Sequence, residues 1–189
     1  KEYETPDEEQ NIPHPIIGYM GTINSTRLDG ELLYQIISQR PDYSFVFTGP
    51  EDDIFRRDRI HSLKNAYFTG QKKVDELPAY IASYDVSINP QMANEITDGN
   101  NPLKIDEYLA MGKPTVATST HTMRNIFAGH THLAINPEEW LAAIDRAVTE
   151  ADDKELAKQR ITFAETHSWG HSVKKIYEII DSFLKKKTT

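Results

Sequence analysis

The stretch NNPLKIDEYLAMGKPTVATS, Asn100 to Ser119, predicts a helix with marked ends that leads directly into a buried strand. Asn101 belongs to the residue types that cap helices, and Pro102 suits the first helical position, where its missing N–H costs no hydrogen bond. Gly112 suits the left-handed residue that closes a helix, and Thr115 to Thr118 is β-prone and apolar. Because the N–H groups at a helix start are unpaired and the helix dipole is positive there, we expect an anion at this position.

Around this stretch, strands and helices alternate along the chain. Six short apolar segments are typical of strands: Pro15 to Met20, Tyr43 to Thr48, Ala66 to Thr69, Asp85 to Asn89, Thr115 to Thr118 and His132 to Ile135. Further segments have helical spacing or composition: Leu28 to Gln39, Glu51 to Leu63 (weakly), Asp75 to Ser83, His121 to Phe127, Pro137 to Glu150, Asp153 to Thr166 and Ser168 to Lys186. This alternation predicts an α/β fold with a Rossmann-like, doubly wound parallel sheet of six strands, three αβα layers and C-terminal helices.

The expected strand order, 3-2-1-4-5-6, brings the ends of strands 1 and 4 together at the switch point of the sheet. The loop from Gly21 to Arg27 should then lie beside the polar loop from Gln91 to Asn101. The planar guanidinium of Arg27 suits phosphate oxygens, and Lys104 should face it across the crevice. A surface charge at Arg27 and a simple turn glycine at Gly21 are the plain alternatives.

Composition narrows the class of protein. The 189 residues are 38% hydrophobic, which suits one domain, and no apolar run is long enough to cross a bilayer. We therefore expect a soluble domain at residues 15–189, preceded by a polar linker or disordered end at residues 1–14. The absence of cysteine excludes disulfides and thiol catalysis, and the net charge of −8 argues against nucleic acid as a partner.

Several kinds of catalytic site are disfavoured by their missing motifs. The first strand–loop–helix junction contains GYMGTIN, which does not match the G-x-G-x-x-G of dinucleotide-binding dehydrogenases and epimerases, and there is no Walker A motif. Ser119 and His121 lack the G-x-S-x-G elbow of a serine hydrolase. The seven histidines have no metal-ligand spacing, so we expect no metal site.

The segment PLKIDEYLAMGKPTVATS resembles the donor-site segment of family 4 glycosyltransferases, which have the GT-B fold. Four other segments extend the resemblance over most of the chain: GYMGTINSTRLD, NAYFTG, LPAYIASYDVSINP and THSW. The resemblance implies the C-terminal, donor-binding half of a two-domain enzyme, whose N-terminal half binds the acceptor. The most similar subgroup acts in bacterial cell-surface polysaccharide synthesis and includes teichuronic acid biosynthesis glycosyltransferases.

The same resemblance implies roles for individual residues. Glu107 would bind the ribose hydroxyls, the backbone N–H groups near Leu103 and Lys104 would hold the distal phosphate, and Arg27 would neutralise the diphosphate. Residues just after the third strand would grip the base. The complete set implied for the donor nucleotide is Gly21, Thr22, Arg27, Gly70, Gln71, Asn101, Pro102, Leu103, Lys104 and Glu107.

Two positions depart from the family pattern. Gly99 stands eight residues before Glu107, where the family has a glutamate near the transferred sugar, so Glu95 or Asp98 is expected to substitute in sugar recognition. Thr22 stands where the family has the arginine of its phosphate pair. Arg27 and Lys104 should therefore carry the charge of the diphosphate.

The implied reaction is the transfer of a hexose-type sugar from a UDP- or GDP-linked donor to a saccharide or lipid-linked acceptor. Such enzymes are metal-independent, need no cofactor and usually retain anomeric configuration; the catalytic base is unknown. The resemblance also implies that this half is inactive without its acceptor domain. The full enzyme would be cytoplasmic, with peripheral association at the cytoplasmic face of the membrane. The alternative is a stand-alone nucleotide-binding or regulatory Rossmann-like module.

Overall fold

The computed structural model describes residues 3–187, except for the side chains at positions 96, 169, 172, 181 and 184–187. Its centre is a six-stranded, all-parallel sheet in the order β3-β2-β1-β4-β5-β6. The strands are β1 Ile16–Met20, β2 Ser44–Thr48, β3 Ala66–Gly70, β4 Val86–Asn89, β5 Thr115–Thr118 and β6 His132–Ala134. The predicted fold class and strand order are therefore confirmed.

Helices cover both faces of the sheet and produce the predicted three layers. They are α1 Gly30–Ser38, α2 Leu77–Ser83, α3 Glu95–Asp98, α4 Leu103–Ala110, α5 Pro137–Thr149, α6 Lys154–Glu165 and α7 Trp169–Lys187. One apolar cluster joins α1 and α5 to one face, and a second joins α2, α4 and α6 to the other. Both faces of the parallel strands are consequently dry, as the near-continuous apolar runs of the sequence indicate.

Three connections differ from the predicted helices and loops. The segment from Glu51 to Leu63 forms two 3₁₀ turns, Phe55–Arg57 and Arg59–Ser62, because aspartate side chains bond to nearby N–H groups and compete with a continuous helix. The predicted helix at His121 to Phe127 contains a π-helical turn, Met123–Phe127. The predicted loop from Gln91 to Asn101 includes the short helix α3.

Residues 3–14, part of the segment predicted to be a linker or disordered end, contact α2. Ile12 is buried in the core and Glu9 is only 1% exposed. Glu8 accepts a hydrogen bond from the Tyr80 hydroxyl and pairs with Lys72, while the Ser83 hydroxyl donates to Glu9. Residues 1–2 lie outside the described part, and the linker role itself stays a prediction.

The last helix, α7, exposes a row of apolar side chains: Val173, Ile176, Tyr177, Ile179, Ile180 and Phe183. It is not a membrane span, since no helix within the described residues combines the length and apolar character that crossing a bilayer requires.

We expect Gly18→Ala to be strongly destabilising. A β-carbon at Gly18 would lie 2.1 Å from Cγ of the buried Tyr84 ring, so the strand or the ring would have to move. Overpacking of this kind costs roughly 3 kcal/mol. Urea unfolding measures the loss, and Gly129→Ala is the matched control because nothing lies within 4 Å of its added carbon. Equal stability of the two variants would contradict this packing.

Glu9→Gln should stabilise the protein at pH 8 and lose that advantage near pH 5. Burial is the main cause that raises the pKa of the Glu9 carboxyl to about 7. The folded state therefore binds this proton more tightly than the unfolded state, and its carboxyl contributes stability as the pH falls below 7. The gap between wild type and variant should shrink by about 2 kcal/mol. Chemical unfolding at both pH values measures it, with the exposed Glu4→Gln as control; a constant gap would contradict the assignment.

Candidate functional site

A cleft of about 860 Å³ opens at the carboxyl ends of β1 and β2, beside the start of α4. This is the predicted switch point, where ligands bind in open α/β sheets. The backbone of the first loop joins that of the loop after β4, because Met92 N–H donates to the Arg27 carbonyl at 2.8 Å. The predicted residues that line the cleft are Gly21, Thr22, Arg27, Gln71, Asn101, Pro102, Leu103, Lys104 and Glu107.

Gly70 is the member of the predicted nucleotide set that does not line the cleft. Its carbonyl instead accepts a hydrogen bond from Gly49 N–H at 2.9 Å, which fixes the end of β3 beside the end of β2. Gln71 follows immediately and reaches the cavity. Gly70 therefore shapes the wall, while the following residue faces the ligand space.

The position of α4 against the sheet is set by Tyr108. Its buried hydroxyl accepts a hydrogen bond from Met20 N–H at 2.8 Å and donates to the Met20 carbonyl at 3.3 Å. The pairing of β1 with β4 ends at Gly18 and Ser87, before Met20, so β4 offers these two backbone groups no partner. The side chain supplies both missing partners and fixes the helix at the end of β1.

The floor of the cleft is a contact between two loop backbones. Gly21 and Gly49 both have positive φ angles, and a β-carbon at Gly49 would lie 2.0 Å from the Gly21 carbonyl oxygen. Gly21 N–H also donates to the Thr48 carbonyl at 2.9 Å. The two loops can approach this closely only because position 49 has no side chain, and glycine also permits the positive φ at both positions.

The start of α4 lacks a side-chain cap, which corrects the predicted role of Asn101. The N-cap is Pro102, in an extended conformation with ψ of 108°, and no side chain bonds to the first N–H groups. Because Pro102 is itself extended, the helix begins at Leu103, one residue later than predicted. The N–H groups of Leu103 and Lys104 consequently lie at an uncapped helix start on the wall of the cleft.

Besides Lys72, which is in an ion pair, two cations line the cleft. Arg27 is exposed on the loop after β1, whereas Lys104 points inward and donates from Nζ to the Tyr19 hydroxyl at 2.7 Å. Burial, with the nearby Arg27 charge, lowers the pKa of Lys104 to about 8, while Glu107 opposes the shift. At pH 7 the ammonium remains largely protonated and available to an anion.

Glu107 lies one turn after Lys104 on α4 and lines the same cleft. Its side chain is exposed, and no hydrogen bond to it is present among the described residues. A carboxylate in this position can accept two hydroxyl hydrogen bonds. The geometry thus places an uncapped helix start and a carboxylate acceptor about one helical turn apart, because residues three apart share a helix face.

The sugar-contact candidates Glu95, Asp98 and Gly99 are not in the cleft lining, taken over the described residues. Asp98 accepts a hydrogen bond from His121 N–H at 2.7 Å, which ties α3 to the loop after β5. Glu95 and Gly99 are exposed. The structure therefore separates these three positions from the cluster around Lys104.

The cleft also contains residues outside the predicted set, among them Tyr19, Asn24, Lys72 and Gln91. Each lies at or just after the carboxyl end of a strand, or in the next loop, where residues of a parallel sheet face a ligand. Their position after the strands could have identified these residues from the sequence. The contact of Tyr19 with Lys104 could not have been predicted in this way, because the two residues are far apart in the sequence. Within the described residues, no three histidine or acidic side chains form a group that could hold a metal ion.

Comparison with known proteins places this geometry in context. The family model described as Glycosyl transferases group 1 matches residues 14–150. A Bacillus subtilis (strain 168) protein, TuaH, named for glycosyl transfer in teichuronic acid biosynthesis, is 28% identical over 160 residues, covering 82% of this chain and 40% of the relative.

Solved structures show the same fold. Sucrose-phosphate synthase from Thermosynechococcus elongatus aligns with a TM-score of 0.72 and 19% identity, over 96% of this chain and 50% of that one. Anabaena HepE, solved in complex with UDP and glucose, aligns with a TM-score of 0.62 and 17% identity, over 94% and 50%.

The chain thus spans half or less of the length of these proteins. The structural neighbours are glycosyltransferases of the GT-B fold. Because the family model covers most of the sequence, the chain belongs to the group 1 glycosyltransferase family.

Proposed function

We propose that this chain is the donor-binding half of a glycosyltransferase and that the cleft binds a nucleoside diphosphate sugar. The observation that carries the proposal is the convergence of an uncapped helix start, two cations and Glu107 on one cavity. HepE, which was solved in complex with UDP and glucose, supports the same class of donor.

In the proposed complex, different groups of α4 bind the phosphates and the ribose of the donor. The N–H groups of Leu103 and Lys104 bind the distal phosphate, and the side chains of Arg27 and Lys104 neutralise the diphosphate. Glu107 accepts hydrogen bonds from the ribose hydroxyls. Gln71 lies at the base end of the site.

The proposed mechanism stabilises the departing diphosphate. Negative charge grows on the leaving group as the sugar–phosphate bond breaks, and fixed N–H donors and cations lower the barrier most when they are oriented beforehand. Tyr108 supplies that orientation, since it ties α4 to the end of β1. We further propose a metal-independent, retaining reaction in which the acceptor-binding half provides any acceptor activation.

The proposed biological setting follows the similarity to TuaH: a UDP- or GDP-linked hexose passes to a saccharide or lipid-linked acceptor in bacterial cell-surface polysaccharide synthesis. In this proposal the full enzyme is cytoplasmic and associates peripherally with the membrane. Glu95, Asp98 and Gly99 stay candidates for sugar contact in a donor complex.

Nucleotide binding should depend on Glu107. Calorimetric titration with UDP, GDP and ADP identifies the best ligand, and Glu107→Gln should weaken its binding by roughly tenfold, because an amide is a poorer acceptor for ribose hydroxyls. Glu165→Gln, an exposed change on α6, is the matched control. The proposal is defeated by a wild-type chain that binds none of the three at millimolar concentration, or by unchanged affinity in Glu107→Gln.

The chain alone should bind donor and transfer no sugar. The acceptor site of the proposed enzyme belongs to a second half, so nucleotide release from UDP- or GDP-linked hexoses should stay at the uncatalysed rate. A coupled assay for free nucleoside diphosphate measures this, and sustained turnover would contradict the division of labour.

The alternative, a stand-alone nucleotide-binding module, uses the same cleft. Sequencing the gene upstream of the codon for Lys1 separates the two. A second α/β domain encoded there supports the enzyme, and a start codon directly before Lys1 supports the module.

A further inference from the structure

The Lys104 ammonium is a half-buried cation without a close counter-ion among the described residues. Among the described residues, no carboxylate lies within 4.0 Å of its Nζ, although the structure has such pairs elsewhere, for instance Arg40 with Asp145. Its hydrogen-bond partner is the Tyr19 hydroxyl at 2.7 Å, and Nζ also lies 4.1 Å from the centre of the Tyr19 ring. A charge partly withdrawn from water is costly unless it is paired, so an anion in the cleft would offset that cost.

Tyr19 is oriented to accept from this ammonium. Its own hydroxyl proton is directed to the Thr22 carbonyl at 3.0 Å, which leaves the oxygen lone pairs for Lys104. Tyr19 is 2% exposed and packs at a tilt against Phe47, so its ring cannot follow Lys104 if the ammonium moves. The hydroxyl therefore links the first loop, through Thr22, to the start of α4.

The vacant space at Gly21 is filled by the same ammonium. A β-carbon at Gly21 would lie 2.7 Å from Lys104 Nζ, so the main chain of the first loop packs against one side of the ammonium. Tyr19 forms the other side. This arrangement compensates for Thr22, the neutral residue at the position where the family resemblance implies an arginine.

We propose that Tyr19 is a positioning residue that holds the Lys104 ammonium in the diphosphate subsite, and that diphosphate binding there is linked to protonation of Lys104. The inference rests on the proposed function of the cleft. It adds a residue that the predicted nucleotide-binding set does not contain.

Other charges around Lys104 set the direction of the pH dependence. The titratable and charged groups that face it are Tyr19 on β1, Arg27 on the following loop and Glu107 on α4. Lys72 also lines the cleft but is paired with Glu8. Burial and Arg27 lower the pKa of Lys104 to about 8, and a bound diphosphate would raise it, so affinity should fall as the pH rises above 8.

The test is calorimetric titration between pH 7 and pH 9 with whichever of UDP, GDP and ADP the wild-type chain binds best. Lys104→Arg is the reference for ligand titration, since a guanidinium does not titrate in this range. Relative to Lys104→Arg, wild-type affinity should fall by about tenfold across the range. A wild-type profile parallel to that of Lys104→Arg overturns the protonation linkage.

Tyr19→Phe isolates the hydroxyl. It keeps the ring but removes the acceptor that favours the charged lysine, so affinity at pH 7 should fall by about three- to tenfold and the midpoint of the profile should move to lower pH. Tyr34→Phe, on α1, is the matched control and should leave both unchanged. Thermal unfolding of each variant at pH 7 and pH 9 verifies that the chain is folded.

Two outcomes overturn the role of Tyr19: unchanged affinity and midpoint in Tyr19→Phe, or an equal loss at every pH with an unmoved midpoint. Both leave the proposed function intact if the wild-type chain binds nucleotide through Glu107. A wild-type chain that binds none of the three nucleotides instead defeats the proposed function and, with it, this inference.

Discussion

The Tyr108 hydroxyl satisfies both backbone groups of Met20 at the point where the sheet divides. The division itself is unavoidable in a doubly wound fold, because β1 and β4 continue to helices on opposite faces. It leaves strand-edge N–H and C=O groups inside the protein, where an unpaired group costs about 1–3 kcal/mol. One side chain from α4 removes that cost and, in doing so, fixes the helix start that faces the cleft. The position of the uncapped helix start and the satisfaction of the backbone at the end of β1 thus rest on the same contact.

Polarity is distributed unevenly around that contact. Towards the sheet, Tyr108, Tyr84 and the side chains of the strands are buried in two apolar clusters. Towards the cleft lie Lys104, Arg27 and Glu107. The opposite charges of Lys104 and Glu107 are adjacent on one face of α4. The chain as a whole carries a net charge of −8, so attraction for an anion must come from this local arrangement and not from the global field.

Much of the fold followed from the sequence because local and global signals agreed. Glycine and proline mark the strand ends, apolar runs mark parallel strands, and the alternation of elements sets the strand order. The start of α4 was predicted one residue too early, because Asn101 is a good capping residue and proline suits the first helical position, whereas Pro102 is extended in the structure. The weak helix predicted from Glu51 to Leu63 was wrong, because hydrogen bonds from nearby N–H groups to aspartate side chains outweigh its helical pattern.

The candidate site was predictable where residues are adjacent in sequence or share a motif, as in α4. It was not predictable where partners are distant: the pair of Tyr19 and Lys104 spans 85 residues, and Glu9 contacts Ser83 from a segment expected to be a linker. Gly70 shows the converse, since the motif implies a nucleotide contact there, whereas its carbonyl in the structure joins the end of β3 to the end of β2.

The contact between Gly21 and Gly49 has a consequence for how such a cleft can diversify. Its floor is main chain, and nearly any side chain introduced at Gly49 would force the two loops apart. Substitutions should therefore be tolerated less well at this floor than at the side chains around it. Changes in what the cleft can hold would therefore involve side chains that line it, such as Gln71, Lys72 or Asn100, more readily than the main chain of its floor. The backbone contact between the two loops thus limits substitution at the floor of the cleft, whereas the surrounding side chains have no such limit.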